Sequence, residues 1–130
     1  MKGIKTNILT PYGPVFKGTV EGVNLPGTEG SFEVQFNHAS LMSMLDIGKV
    51  TVRTTEGEEI FSVNGGFVEV HNNEVTVLAE SAERKDDIDV ERARHAKERL
   101  ERELRNESQK DVKMELALKR AVNRIKVAEL

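Results

Sequence analysis

Four arginines in the last third of this 130-residue chain have the spacing from which a ligand site could be built. Arg92 and Arg99 are seven residues apart, and Arg120 and Arg124 are four apart. Each interval returns a side chain to the same face of an α-helix. A guanidinium offers fixed, bidentate geometry toward phosphate oxygens. Two helices laid side by side could therefore set four guanidiniums around one polyanion. On spacing alone the simpler account is solvated ion pairing with Glu91, Glu98, Glu103 and Glu115 along exposed helix faces.

The other chemistry-bearing residues exclude more than they suggest. The three histidines, His38, His71 and His95, lie in separate segments, and none has a second metal ligand at motif spacing. Cysteine is absent, which excludes disulfides and thiol chemistry. No serine nucleophile motif occurs, and no Gly-x-x-x-x-Gly-Lys-Ser/Thr loop is present to cradle phosphate. The expectation is a protein that is not itself an enzyme and needs no obligatory cofactor or metal.

The elements that must position the arginines follow from a break in composition. Every glycine, proline and aromatic residue lies at or before Phe67. Beyond Glu80 the chain is built mostly of Glu, Lys, Arg, Ala, Leu and Val, which are helix-compatible without a breaker. Fourteen of the 19 Lys+Arg and 13 of the 22 Asp+Glu fall in this tail, so residues 1–79 carry a net charge of −4 and residues 80–130 of +1. A dense mixture of both signs reads as a solvated helical surface and not as a nucleic-acid footprint. No apolar run approaches the roughly 20 residues of a membrane-spanning helix. The start, Met1-Lys2-Gly3-Ile4, has neither a signal nor a transit pattern, so the expectation is a soluble protein without direct membrane insertion.

Residues 1–84 read as a β module. Phe32, Val34 and Phe36 alternate with polar residues, as do Val50 and Val52, at the period of a half-buried strand. Val68-Glu69-Val70 and Val75-Thr76-Val77 flank Asn72-Asn73, a pair suited to a two-residue hairpin turn. Gly65-Gly66 marks a bulge or sharp bend. His38–Leu45 breaks the alternation and is expected to be a helical turn or loop plugging one end of the sandwich, with its Met and Leu residues inside. Residues 85–130 read as an antiparallel helical hairpin. Asp86-Asp87 is the expected N-terminal cap, with Asp89 in the first turn. Val90, Ala93, Ala96, Leu100 and Leu104 form one apolar stripe, and Met114, Leu118, Ala121 and Ile125 a second. Asn106–Lys110 is the expected turn, and Asp111 caps the second helix. Both stripes are thin, so the hairpin should be marginal and able to open. The fold class is α+β: an antiparallel β-sandwich followed by a two-helix hairpin.

An ordered set of segments then points to a family. It comprises Thr10-Pro11-Tyr12-Gly13-Pro14-Val15-Phe16, Leu25–Phe32, Asn37–Leu41, Gly65–Val70, Val75–Glu83, Ile88-Asp89-Val90-Glu91-Arg92-Ala93 and Leu118–Ile125. In this order and spacing the chain resembles the epsilon subunit of F-type ATP synthase over essentially its whole length. The resemblance implies a rotor subunit that joins the gamma subunit to the c-ring. Its helices either fold on the sandwich or extend toward the catalytic beta and alpha subunits and block ATP hydrolysis. It implies a peripheral position on the cytoplasmic face of a bacterial membrane. It also implies a regulatory ATP site, bound without hydrolysis, with Glu83, Ile88, Asp89, Arg92, Ala93, Arg99, Arg120 and Arg124 at the matching positions. This tips the arginine reading toward a ligand. Glu29, Gly30, Ser31 and His38 match the loops that face the c-ring, although Glu33, Gln35, Phe36 and Ser40 depart from the family pattern there. The alternative is a free-standing ATP-sensing protein, which ATP binding in the absence of any such partner would identify.

Overall fold

The computed structural model describes residues 3–106 and 111–130. Eight strands come first: β1 (Ile4–Thr10), β2 (Gly13–Val20), β3 (Gly22–Gly27), β4 (Gly30–Gln35), β5 (Leu41–Thr54), β6 (Gly57–His71), β7 (Glu74–Ala79) and β8 (Ala82–Arg84). A single 3-10 turn, Lys85–Asp87, leads to helices α1 (Val90–Asn106) and α2 (Val112–Ala128).

The sandwich is one sheet folded into two layers that share β5 and β6. Strand order is β2-β1-β7-β6-β5-β3-β4, with β8 added to β6. The second half of β6 (66–71) pairs with Leu41–Leu45 of β5 and with β7, in the layer that includes β1 and β2. The first half of β6 pairs with the second half of β5 and with β8, in the layer that includes β3 and β4. The bend sits at Gly65-Gly66, whose φ values are 83° and 142°. A Cβ on Gly66 would run into the Leu78 carbonyl, so the crossing requires glycine. Between the layers lies a core of Ile4, Ile8, Val23, Leu25, Val50, Val52, Phe61, Val63, Val68, Val75 and Val77, each fully buried.

The Asn72-Asn73 turn forms as expected, with both residues at positive φ (49° and 59°). Three expectations are corrected. The sandwich is not wholly antiparallel, because β1 and β7 pair in parallel from Lys5↔Glu74 to Leu9↔Leu78. Leu41–Leu45 is neither a helical turn nor a plug but the first part of β5, paired with β6 from Val70 to Gly66. Its inward residue Leu45 is buried, while Met42 and Met44 stand on the outer face, 67% and 59% exposed. Backbone pairing to β6 fixes that parity, and a helical spacing of four apolar residues could not reveal it. The cap of α1 is Asp89 and not Asp86 or Asp87. Asp89 Oδ1 accepts from the Arg92 amide at 3.0 Å, and the aspartates before it lie in the 3-10 turn. Asp111 caps α2 as expected, accepting from the Lys113 and Met114 amides. Of the expected Asn106–Lys110 turn, Asn106 is the last residue of α1 and 107–110 lie outside the described residues.

The helices run antiparallel, and Arg94 near the start of α1 pairs with Glu129 at the end of α2 at 3.0 Å. The hydrogen bond to Glu129, then the charge of Glu91, holds the Arg94 guanidinium above its ordinary range. Both predicted stripes face inward, with Ala93, Leu100 and Ala121 buried. The hairpin lies folded on the second layer. There Asn123 Nδ2 donates to the Gly48 carbonyl at 2.8 Å and to Ser62 Oγ at 3.1 Å. Lys119 reaches Asp46 at 3.4 Å, and Lys85 donates to the Leu130 carbonyl.

Candidate functional site

Where the hairpin meets the sandwich there is a cavity of about 470 Å³. Three walls enclose it. Ala96, Arg99 and Leu100 come from α1; Ala117, Arg120, Ala121 and Arg124 come from α2; and Ser62, Asn64, Ser81, Ala82 and Glu83 come from the edge where β6 meets β8. Small residues on both helices leave the space, and the arginines rim it. The β6 alternation explains the third wall. Phe61 and Val63 point into the core, so Ser62 and Asn64 point out toward the helices.

Three of the four predicted arginines therefore converge. Arg124 makes a bidentate pair with Glu83, Nε to Oε1 at 2.9 Å and Nη2 to Oε2 at 3.2 Å. Arg120 Nη2 lies 3.8 Å from Glu80 Oε2. Arg99 has no ion-pair partner among the described residues. The expected intrahelical pairing occurs at Glu91, but with Arg94 and not with any of the four. The glutamates that meet the site arginines come instead from the end of the β module. Two guanidiniums are thus matched by carboxylates and one is left in excess, a net positive rim that suits an anion.

The remaining predicted residues lie outside this cavity. Arg92 is exposed, one helical turn before Ala96 on the Arg99 face. Ala93 is fully buried and Ile88 nearly so, and both serve to seat the start of α1. Asp89 is committed to the α1 cap. Residues that the sequence reading passed over are Asn64, Ser62, Ser81 and Asn123. Their only signal was polarity on strands or helix faces, which is common on any surface.

A second feature lies on the opposite layer. Cross-strand register sets Met44 beside Phe67, Phe67 beside Leu78, Leu78 beside Leu9 and Leu9 beside Pro14. The first four are on the outer face, because their strand neighbours Leu45, Val68, Val77 and Ile8 are buried, and Pro14 is itself exposed. An apolar row five strands wide with Leu78 half exposed is a docking surface in character. At one end, Glu29 of the β3–β4 turn and Gly30 and Ser31 at the start of β4 share a cleft with Met42 and Met44. His38, in the β4–β5 connection, lies outside that cleft with its Nδ1 2.7 Å from the Ala39 carbonyl. Among the described residues no cluster of His, Asp or Glu could hold a metal, and no helix is long and apolar enough to cross a membrane.

Comparison with known proteins places both halves of the chain. Residues 3–85 match the model of the ATP synthase delta/epsilon chain β-sandwich domain, and residues 86–129 that of its long α-helix domain. The ATP synthase epsilon chain of Bacillus pumilus is 43% identical over 129 residues, with 98% of each chain covered. That of Halalkalibacterium halodurans is 41% identical over 131 residues, again with 98% of each covered. Among solved structures, a chain of the Euglena gracilis mitochondrial ATP synthase (OSCP/F1/c-ring) superposes with a TM-score of 0.85 at 19% identity, over all of this chain and 83% of that one. A chain of the Tetrahymena thermophila enzyme's central stalk and c-ring gives 0.62 at 15% identity, covering 99% and 95%.

Proposed function

From the premise that this chain belongs to the ATP synthase delta/epsilon family, we propose that it is a non-catalytic rotor subunit whose hairpin is a nucleotide-controlled brake. The observation that carries the nucleotide part is the convergence of Arg99, Arg120 and Arg124, from two different helices, on one cavity. A polyanion gripped by both helices binds only the folded hairpin and stabilises it by mass action. ATP is the proposed ligand, held by charge and hydrogen bonds without hydrolysis.

The brake follows from what the same side chains do when the hairpin is docked. Lys119, Arg120 and Arg124 are each matched to an acidic residue of the β module, Asp46, Glu80 and Glu83. Undocking frees that basic face for acidic segments of the catalytic beta and alpha subunits. The apolar row from Met44 to Pro14 is the proposed seat for the gamma subunit, and the Glu29–Ser31 cleft is the part that faces the c-ring. That row favours a subunit held in an assembly over a free-standing sensor, which would have no use for an uncovered apolar face. The proposed location is the cytoplasmic face of a bacterial membrane, attached through these partners.

Calorimetric titration of ATP into the full chain tests the nucleotide site, with saturable binding as the expected result. The switch is tested by the distance between labels near Ser43 and near Lys126, which should become narrowly distributed and short on ATP addition. Binding without any change in that distribution would leave a site with no switch. Absence of binding at millimolar ATP would return the arginines to the role of ion pairs.

A further inference from the structure

Two buried polar atoms in the seam cavity have no hydrogen-bond partner among the described residues: Asn64 Oδ1, an acceptor, and Arg120 Nε, a donor. Both residues line the same space. Buried polar atoms are rarely left unpaired, and one of each sense in a single cavity is a complementary vacancy for one molecule. Asn64 cannot turn away to satisfy itself. Its Nδ2 donates to Ser81 Oγ at 2.6 Å, and its backbone amide donates to the Ser81 carbonyl at 3.1 Å. With the amide placed so, its oxygen is the free atom.

We propose that Asn64 reads the ligand of this cavity, its Oδ1 accepting a hydrogen bond from a neutral donor on the molecule whose anionic oxygens meet Arg120 and Arg99. The inference rests on the nucleotide reading above and narrows it. A bare polyphosphate, fully ionised against the arginines, has acceptors but no donor for Asn64. A nucleoside triphosphate has both, the donor being an exocyclic amine or a sugar hydroxyl. Because Asn64 belongs to β6 and not to the hairpin, the ligand grips the sandwich as well as both helices. Ligand binding then reports docking of the helices on the sandwich and not only their pairing with each other.

The test is calorimetric titration of the full chain with ATP, inosine triphosphate, 2′-deoxyadenosine triphosphate and inorganic tripolyphosphate, comparing wild type with Asn64→Ala. The variant should bind ATP roughly three- to tenfold more weakly, the loss of one neutral hydrogen bond. Its affinity for tripolyphosphate should not change. Wild type should discriminate against one analogue, inosine triphosphate if the donor is the amine or the deoxy compound if it is the hydroxyl. Asn64→Ala should erase that discrimination. Asn64→Asp, which keeps the acceptor oxygen, should preserve the discrimination even if added charge lowers every affinity. Unchanged ATP affinity in Asn64→Ala overturns the proposal. So does weaker binding with the wild-type discrimination intact, since a merely structural residue would behave that way. Loss of discrimination in Asn64→Asp also overturns it. A wild-type preference for inosine triphosphate that Asn64→Ala abolishes would mean that the amide presents its nitrogen, which also overturns it. A wild type that binds no ATP defeats the nucleotide reading itself, and that result is distinct from any difference between variants.

Discussion

At the scale of single residues, the aspartates before α1 divide their labour in a way that spacing did not reveal. Three of them, Asp86, Asp87 and Asp89, stand within four positions, and each has the side chain a helix cap needs. The backbone chooses among them. Residues 85–87 already form a 3-10 turn, Ile88 is extended, and only Asp89 is placed to accept from the Arg92 amide. Asp89→Ala should therefore cost about 1 kcal/mol of α1 stability, seen as earlier loss of helical signal in far-UV circular dichroism on heating. Asp86→Ala and Asp87→Ala should change it little. Equal losses from all three would mean that charge near the helix end matters and the cap does not. The same commitment bears on the ligand: an Asp89 locked in a cap is available to a nucleotide only through its second oxygen. The arginines could be singled out because the ordered family resemblance added to a spacing that by itself reads as solvated ion pairing. Asn64 was not, because one asparagine on a strand has many.

At the scale of elements, α2 is the piece that docks and α1 is carried with it. Helix α2 supplies Asn123, Lys119, Arg120 and Arg124 to the sandwich. The Asn123 contact is part-buried, with Ser62 buried beneath it. Asn123→Ala leaves the Gly48 carbonyl and Ser62 hydroxyl without that donor and should weaken docking by about 1–3 kcal/mol. The readout is a wider distribution of distances between labels near Ser43 and Lys126, with the helical content of the hairpin unchanged. Unaltered distances would show that the ion pairs alone hold the helix down. The proposed undocking also needs a pivot. Arg84 pairs with Glu59, donates to the Val15 carbonyl at 3.3 Å, and sits 5.1 Å from the ring centre of Phe61 and 6.0 Å from that of Phe16. The chain is fastened up to that point, so the pivot expected for the proposed undocking is 85–89. Both helices and the Asn72-Asn73 hairpin were readable from local pattern. The parallel pairing of β1 with β7 was not, because it joins segments some 69 residues apart and no turn between them records it. The first part of β5 was misread because two Met and two Leu in five residues look like core, whereas two of the four face solvent.

At the scale of the whole molecule, the fold separates a self-sufficient body from a conditional appendage. The large core cluster lies wholly within residues 4–79, and the hairpin adds only small or isolated buried groups such as Ala93, Leu100, Ala121 and Val127. A chain ending at Arg84 should still unfold cooperatively, with a denaturant slope near that expected for its own size; a gradual, non-cooperative transition would show that the sandwich depends on the helices. Divided after Arg84, the two parts also carry opposite net charge, −5 for residues 1–84 and +2 for 85–130. Three exposed or part-exposed ion pairs join them. Screening shortens from about 10 Å at 0.1 M salt to about 3 Å at 1 M, so salt should release the hairpin while the sandwich stays folded. A label distance that ignores salt would place the docking energy in the Asn123 contacts alone. The proposed gamma seat and the hairpin dock occupy opposite layers, and those layers share the continuous backbones of β5 and β6. A load applied to one face is therefore carried to the other through covalent chain and not across a sliding side-chain interface. In mechanical terms two faces on shared strands resist shear between them, as a rigid coupling in a drive shaft must, and the pivot proposed after Arg84 would confine compliance to the part proposed to move.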